Sequence, residues 1–336
     1  MIIQTGLRTD IPAFYSRWFS NRLRSGFVCV RNPYNPVSVT RYTLSPEVVD
    51  LIGFCTKNPA PIFPYMDLLA PYGQYWFVTI TPYGKDIEPN VPEKETVMDS
   101  FRKLSDMVGV DSVGWRYDPI LISDVYPVEQ HISDFEKMAA YLSGYTKTCV
   151  ISFIDIYKKV ERNFPQARPV RPAERVEIGK AFGEIGRRYG MTIKACAEGN
   201  DLAPYGVDCS GCMTIETFET ALHCRLDAPK RKSARIRESR AIRNCASHNG
   251  AAFVLDSKSE SRTGCACYLG NDIGAYDTCG HLCRYCYANA NTAAVRQNMK
   301  LHNPESPFLI GDGHPDDQIH DAKQTSWIDI QLNLFP

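Results

Sequence analysis

Short apolar runs alternate along this chain with longer stretches in which apolar residues recur at helical spacing. Seven runs rich in β-branched and aromatic residues are followed by polar residues, and most then lead into a helical pattern. The runs cover residues 2–5, 27–30, 51–55, 75–80, 112–115, 149–154 and 191–195. Because parallel strands are joined by crossovers that usually contain a helix, this alternation predicts a parallel sheet of the α/β class.

We expect the sheet to form a TIM-barrel-like (β/α) barrel. The runs are spaced by roughly 20–45 residues, and 336 residues suffice for a fold whose usual size is about 250 residues. An open doubly wound sheet is the alternative, but no G-x-G-x-x-G motif follows the first run, which disfavours a dinucleotide-binding version. Residues 1–200 would form the barrel body. The cysteine-rich residues 201–336 would pack on it or complete it through a last strand at 271–277.

Local signals mark the ends of the predicted helices. Asp10 is a candidate N-cap with Pro12 just inside the first helix, and Gly190 is a candidate C′ residue after a helix around 178–189. Apolar residues at helical spacing predict two further helices around 97–108 and 132–142. Each of these helices follows an apolar run, as a crossover requires.

Polar side chains stand directly after the apolar runs, where the strands of a barrel would open onto an active-site edge. We assign the charged ones as candidate catalytic groups, and the asparagines Asn32 and Asn58 as candidate cofactor-binding groups. The charged residues are Arg8, Asp10, Arg31, Lys57, Arg116, Asp118, Asp155 and Glu198. Helix capping is the alternative explanation; it accounts well for Asp10 but not for four basic residues.

Composition narrows the class of protein. Lysine plus arginine equals aspartate plus glutamate at 38 each, which favours neither a nucleic-acid-binding nor a membrane-surface protein. No run of 18 apolar residues and no secretory signal are visible, so we expect no membrane partner and a cytoplasmic location. In a reducing compartment the 13 cysteines are better explained as metal ligands or redox groups than as a disulfide framework.

The densest cysteine motif lies near the C-terminal end. Cys279, Cys283 and Cys286 form a C-x3-C-x2-C pattern, with Tyr285 directly before the last cysteine. Three thiolates this close together can hold one face of a metal cluster and leave one metal without a protein ligand. A structural zinc site that uses His281 is the alternative, although zinc motifs usually pair two C-x2-C-like halves.

This motif resembles the C-x3-C-x-aromatic-C signature of the radical S-adenosylmethionine superfamily. The resemblance implies a [4Fe–4S] cluster on Cys279, Cys283 and Cys286, S-adenosylmethionine on the fourth iron, and Tyr285 near the adenine. It also implies an external electron donor such as a flavodoxin or ferredoxin, and cleavage of the cofactor to a 5′-deoxyadenosyl radical that attacks the substrate.

Nearly the whole chain resembles a bacterial family known as domain of unknown function 1848, which has such a cysteine cluster at its C-terminus. The resembling segments are 8–12, 30–33, 56–59, 83–90, 272–277 and the cysteine triad itself. Radical S-adenosylmethionine enzymes normally carry the triad after their first strand. A circularly permuted barrel would bring the late triad to the same edge as Arg8, Arg31 and Arg116. No Gly-Gly-Glu motif is visible, so charged residues at the strand ends would bind the methionine part of the cofactor instead.

A second cysteine set lies outside the triad. Cys196, Cys212, Cys265 and Cys267 could hold an auxiliary iron–sulfur cluster or a zinc ion, and Cys209 could replace Cys212. Burial of ordinary thiols is the alternative, although the tight pair of Cys265 and Cys267 argues against it.

Three functions remain open from the sequence. The first is a radical S-adenosylmethionine enzyme with a small-molecule substrate, for which the basic strand ends suggest an anionic group. A barrel hydrolase or lyase with a structural metal is the second. The third is a nucleic-acid-modifying or repair protein, suggested by the basic stretch 230–243 but not favoured by the neutral net charge.

Overall fold

A six-stranded parallel sheet forms the centre of the protein, which is represented by a computed structural model that describes residues 1–229, 267–268 and 270–328. The strand order is β1-β4-β5-β6-β7-β8, so each strand pairs with the one that precedes it in this sheet along the chain. The strands are β1 (Ile2–Gln4), β4 (Leu51–Thr56), β5 (Gly73–Thr79), β6 (Val113–Ile120), β7 (Thr148–Phe153) and β8 (Thr192–Ala195).

The sheet winds in one direction, as in a barrel, but the described residues do not close it. Beyond β1 it gains a single parallel bridge between Gln4 and Asp272, and beyond β8 a bridge between Lys194 and Asp208. No pairing joins these two edges in the described part of the chain. The prediction of a closed barrel is therefore not met by the described residues, while the α/β class with a parallel sheet is confirmed. The predicted last strand at 271–277 is reduced to the bridge at Asp272.

A separate three-stranded sheet contains the run 27–30, which was predicted to belong to the barrel. Its strands are β2 (Phe27–Asn32), β3 (Asn35–Thr43) and β9 (Gln318–Asp321), in the order β2-β3-β9. β2 and β3 are antiparallel, and only two residues connect them. A connection this short cannot cross over to a parallel neighbour, so the placement of this run in the large sheet was wrong.

The helices follow the predicted pattern. Asp10 caps α1, accepting a hydrogen bond from the backbone N–H of Ala13, and Gly190 has a positive φ of 72° directly after the C-cap of α7. The helices are α1 (Ile11–Phe14), α2 (Ser16–Ser25), α3 (Met66–Leu69), α4 (Lys94–Val108), α5 (Val128–Leu142), α6 (Lys158–Asn163), α7 (Pro172–Arg188), α8 (Ile215–Leu222) and α9 (Thr292–Lys300).

The two faces of the large sheet are covered by different layers. Because strand side chains alternate, Trp76 and Trp115 pack among the residues of α4, α5 and α7, whereas Tyr75 and Phe77 point to the other face. That second face, called here the inner face, is covered by Phe218 of α8 and by Cys212, Met213 and Cys267. No helix among the described residues has the length and apolar character needed to cross a membrane.

Candidate functional site

The loop that carries Cys279, Cys283 and Cys286, called here the cluster loop (residues 279–286), lies at the carboxyl edge of the large sheet. It follows the segment that bridges to β1 at Asp272 and precedes α9. The Asn289 side chain donates to the carbonyl of Cys279 at 2.9 Å, which fixes the base of the loop. The cysteine triad comes late in the chain, but it is thus held beside the end of β1.

Asp10 ties the cluster loop to two strand ends. Its Oδ1 accepts the N-cap hydrogen bond from Ala13, while its Oδ2 accepts from the backbone N–H of Lys57 at 2.7 Å. The same Oδ2 lies 2.8 Å from Nε2 of His281 in the loop. Asp10 therefore acts as more than a helix cap, because it connects the ends of β1 and β4 to the cysteine motif.

Both ring nitrogens of His281 face protein partners. Nε2 contacts Asp10, and Nδ1 lies 3.4 Å from the carbonyl oxygen of Asn90. The ring is buried and packs edge-on against Phe14 at a centroid distance of 4.7 Å. A histidine in this arrangement orients the loop, so the geometry disfavours a zinc site that uses His281 as its fourth ligand.

The segment after β5 closes over the cluster loop through the backbone. The Asn90 side chain donates to the carbonyl of Gly280 at 2.8 Å, and its backbone N–H donates to the carbonyl of His281. The N–H of Arg284 donates to the carbonyl of Ile87 at 3.0 Å. Ile87 and Asn90 flank Glu88 in the sequence. Their contacts therefore hold Glu88 next to the cluster loop.

Glu88 is the centre of a buried ionic group next to the triad. Its carboxylate contacts the ammonium groups of Lys57 and Lys94, the Thr81 hydroxyl and the Tyr285 hydroxyl, and its side chain has no exposed surface. Burial raises the pKa of Glu88, but the two lysines lower it more, to about 2. Two cations around one carboxylate leave a surplus positive charge beside the thiols.

The three loop thiols are half-buried and interact electrostatically with one another. Burial raises the pKa of Cys279 and Cys286, and it raises that of Cys283 to about 12 although Lys57 opposes the shift. Each of Cys279 and Cys283 also interacts electrostatically with its neighbours in the triad. The donor set is therefore three sulfurs with a lysine ammonium within electrostatic reach.

No group of three or more His, Cys, Asp or Glu residues in the described ranges is arranged to hold a metal ion. A single tetrahedral zinc with Zn–S bonds of 2.3 Å requires sulfurs about 3.8 Å apart. In a [4Fe–4S] cluster each thiolate binds a different iron, so its sulfurs lie farther apart. The donor chemistry of the cluster loop, three thiols within eight residues, fits such a cluster.

A cleft of about 180 Å³ lies at the carboxyl ends of β7 and β8 and contains two predicted residues, Asp155 and Glu198. Glu198 accepts the backbone N–H of Phe153 at 2.9 Å and pairs with Arg175 of α7. Burial raises the pKa of Glu198 to about 7, even though the Phe153 amide and Arg175 oppose the shift. The cleft thus contains a carboxyl group that can exchange a proton near neutral pH.

Contacts of α6 link the cleft to the cluster loop. Lys159 donates to the carbonyl of Tyr287 at 3.2 Å, and Arg162 donates to the carbonyl of Ala290 at 3.0 Å. The hydroxyl of Tyr287 in turn donates to the carbonyl of Leu7 after β1. The cleft and the triad therefore lie along one edge of the sheet.

The other predicted residues occupy three different places. Arg116 and Asp118 pair with each other on β6, and Asp118 also accepts from Ser152 on β7. Arg8 lies beside the segment that leads to the cluster loop, because its Nε is 3.8 Å from Asp272. Asn58 follows β4, where its backbone N–H donates to the Thr56 hydroxyl.

Arg31 and Asn32 do not follow a strand of the large sheet. Both lie in β2 of the small sheet, and Arg31 forms an ion pair with Asp317. The prediction that these two residues follow a strand of the large sheet was wrong, because the run 27–30 belongs to the small sheet. Carboxylates also lie within ion-pair distance of Arg8, Lys57 and Arg116, so these cations do not by themselves indicate an anionic substrate.

Three members of the second cysteine set lie together. The Sγ atom of Cys212 is 3.4 Å from that of Cys196 and 3.2 Å from that of Cys267. Cys209 faces the carbonyl of Val207, so it does not replace Cys212. Cys265 and the basic stretch 230–243 lie outside the described residues.

Sequence reasoning missed Glu88, Lys94 and Arg175. Glu88 lies in the segment 83–90 that resembles the family, but it comes after a turn instead of directly after a strand. Lys94 and Arg175 lie on helices, where charged residues are usually solvated. Only the nearby carboxylates distinguish these two cations from surface residues.

Comparison with known proteins identifies the family. No curated protein and no solved structure matches the chain. One family model, described as domain of unknown function (DUF1848), matches residues 2–288. Because this match covers well over half of the 336 residues, the chain belongs to the DUF1848 family.

Proposed function

We propose that this protein is an iron–sulfur enzyme of the radical S-adenosylmethionine type. The observation that carries the proposal is the position of the cluster loop. Its three thiols lie at the carboxyl edge of the parallel sheet, beside the buried group of Lys57, Glu88 and Lys94. Parallel α/β sheets bind their ligands at this edge, so the triad stands where a reaction centre is expected.

The residues around the triad fit the charges of the proposed cofactors. Cys279, Cys283 and Cys286 would hold a [4Fe–4S] cluster, which supplies an electron to the sulfonium of bound S-adenosylmethionine and thereby starts radical chemistry. Lys57 and Lys94 would offset the negative charge of thiolates and of the cofactor carboxylate. Glu88 would hold the two lysines in position, because its buried carboxylate pairs with both.

The cleft near β7 and β8 is the proposed substrate site. Glu198 would exchange a proton with the substrate, Asp155 would accept its hydrogen bonds, and Arg175 would hold Glu198 in position. A contact from α6 relates the cleft to the triad: Lys159 donates to the carbonyl of Tyr287, directly after the cluster loop. The volume of about 180 Å³ limits the proposed substrate to a molecule smaller than those that fill typical ligand pockets.

A hydrolase or lyase with a purely structural metal is the second candidate. That function would be favoured by a triad remote from the polar strand ends. Instead, His281 of the cluster loop contacts Asp10, and Tyr285 contacts Glu88. These two contacts favour a catalytic position for the triad.

The test is anaerobic reconstitution with iron and sulfide, reduction with dithionite, and addition of S-adenosylmethionine. We expect 5′-deoxyadenosine as a product of the wild-type protein. Cys283→Ala should abolish it, because two thiolates hold a cubane cluster poorly. Cys224→Ala is the matched control, since Cys224 belongs to neither cysteine set and its loss should leave the yield unchanged.

Two results would contradict the proposal. One is a wild-type protein with a spectroscopically intact cluster that yields no 5′-deoxyadenosine. The other is a Cys283→Ala variant that retains both the cluster and the product.

A further inference from the structure

We propose that Cys196, Cys212 and Cys267 form a second metal site that binds a single zinc ion. The site is independent of the proposed radical chemistry. Its three ligands come from segments far apart in the chain: the end of β8, the turn before α8, and the start of the segment that leads to the cluster loop. All three sulfurs converge on the inner face of the large sheet.

The sulfur separations indicate one ion. Cys212 lies 3.4 Å from Cys196 and 3.2 Å from Cys267, measured between Sγ atoms. A tetrahedral zinc site needs sulfurs about 3.8 Å apart, so binding requires them to separate by only about 0.4–0.6 Å. In their present positions they do not yet enclose a metal position. An iron–sulfur cluster would need a larger expansion, because each thiolate binds a different iron.

Backbone amides support a negative charge at this point. Sγ of Cys267 accepts hydrogen bonds from the consecutive backbone N–H groups of Cys212 and Met213, at 3.4 and 3.2 Å. Amide donors aimed at a ligand atom fix its orientation and stabilise its ionised form. Each thiol releases its proton when it binds the ion.

Burial and donor type restrict the choice of metal. Cys212 and Cys267 are only 2% and 1% exposed, among Tyr75, Phe77 and Phe218. A set of sulfur donors alone selects thiophilic metals such as zinc over calcium or magnesium. Zinc is not redox-active, which suits a structural role.

The site would fix the path of the chain towards the cluster loop. Next to Cys267, the N–H of Tyr268 donates to the carbonyl of Met213 at 2.8 Å. A few residues later, Ile273 donates to the carbonyl of Gln4 in β1. A metal link at Cys267 would therefore hold the returning segment against the sheet before it reaches the triad.

The test is metal analysis of the full chain purified under reducing conditions, combined with zinc-edge X-ray absorption. We expect about one sulfur-coordinated zinc per chain, and an affinity at least about tenfold lower in Cys212→Ser. Cys209→Ser is the control, because Cys209 lies in the same turn but faces Val207. A Cys279→Ala/Cys283→Ala/Cys286→Ala variant should retain the zinc, which separates this site from the triad.

Three outcomes would overturn the proposal. They are no stoichiometric zinc in the wild-type protein, zinc that is lost with the triad but not with Cys212, and a Cys212–Cys267 or Cys196–Cys212 disulfide in place of metal. X-ray absorption needs no substitution in the second cysteine set. The proposal therefore remains testable even where Cys212→Ser does not fold.

Discussion

The two cysteine sets of this chain are assembled in opposite ways. Cys279, Cys283 and Cys286 come from one short loop and lie among charged groups at the carboxyl edge of the sheet. Cys196, Cys212 and Cys267 come from three distant segments and lie against an aromatic layer on its inner face. The first arrangement suits a reaction centre that exchanges charge with ligands, and the second suits a cross-link.

The strongest test of this contrast is a reciprocal pair of substitutions. Cys283→Ala should remove the iron cluster and the activity, but it should lower the free energy of unfolding only slightly, since one loop carries all three ligands. Cys212→Ser should lower the free energy of unfolding by about 1.4 kcal/mol for a tenfold loss of zinc affinity, and by about 4 kcal/mol where it loses an ion present at roughly a thousandfold its dissociation constant. Iron and zinc contents and urea unfolding measure both. The contrast fails where both variants lose the same metal.

Substitution of Glu88 tests whether ion pairing stabilises the carboxyl edge. Glu88→Gln keeps the shape of the side chain but leaves Lys57 and Lys94 without their carboxylate. We expect the free energy of unfolding to fall by about 3 kcal/mol, because removal of the carboxylate leaves buried positive charge uncompensated. Glu305→Gln is the control: its pair with Arg17 is solvent-exposed and should contribute less than about 1 kcal/mol. Equal losses in the two variants, measured by urea unfolding, would contradict the ionic role.

The sequence predicted the parallel sheet and its main helices because their apolar residues follow simple periods. The run 27–30 misled the prediction, since a strand of a hairpin and a strand of a parallel sheet have the same local pattern. The signal that distinguishes them is the two-residue connection between Asn32 and Asn35, which is too short for a crossover. Barrel closure depends on contacts between the two edges, and no local pattern encodes these.

The candidate site was predictable only in part. The spacing of the triad and the polar strand ends placed Asp10 and Lys57 correctly at the edge. Glu88 escaped prediction because a turn separates it from β5, and its burial becomes visible only when Lys57, Lys94 and Tyr285 surround it. Long-range pairing of charges leaves no periodic trace in a sequence.

Two helix caps allow a finer comparison of the regions. Asp10→Asn should lower the free energy of unfolding by about 2 kcal/mol. The two carboxylate oxygens of Asp10 contact Ala13, Lys57 and His281, and the amide of asparagine keeps only one of these oxygens. Thr214→Ala next to Cys212 removes only a local cap to Thr217 and should cost about 1 kcal/mol. Chemical unfolding measures both costs. Iron retention should fall in Asp10→Asn alone, and a fall in Thr214→Ala would mean that the two regions are coupled.

Acid should lower the free energy of unfolding through Glu88, a smaller effect that is specific to the carboxyl edge. The pKa of Glu88 is about 2 in the folded protein, below its ordinary value of 4.5. Its contribution to stability is therefore complete above about pH 4.5 and is lost as the pH falls towards 2. Between pH 5.5 and 3.5 the Glu88 carboxylate binds most of a proton in the unfolded state but almost none in the folded state. This difference lowers the free energy of unfolding by about 1.4 kcal/mol.

The measurement is the difference in unfolding free energy between the wild-type protein and Glu88→Gln at these two pH values. Because protonation of other carboxylates and of any bound thiolates affects both proteins, the difference isolates Glu88. We expect it to shrink by about 1.4 kcal/mol at the lower pH. A difference that is the same at both pH values would show that Glu88 is not held ionised by Lys57 and Lys94. Ion pairing would then not distinguish the stability of the carboxyl edge from that of the inner face.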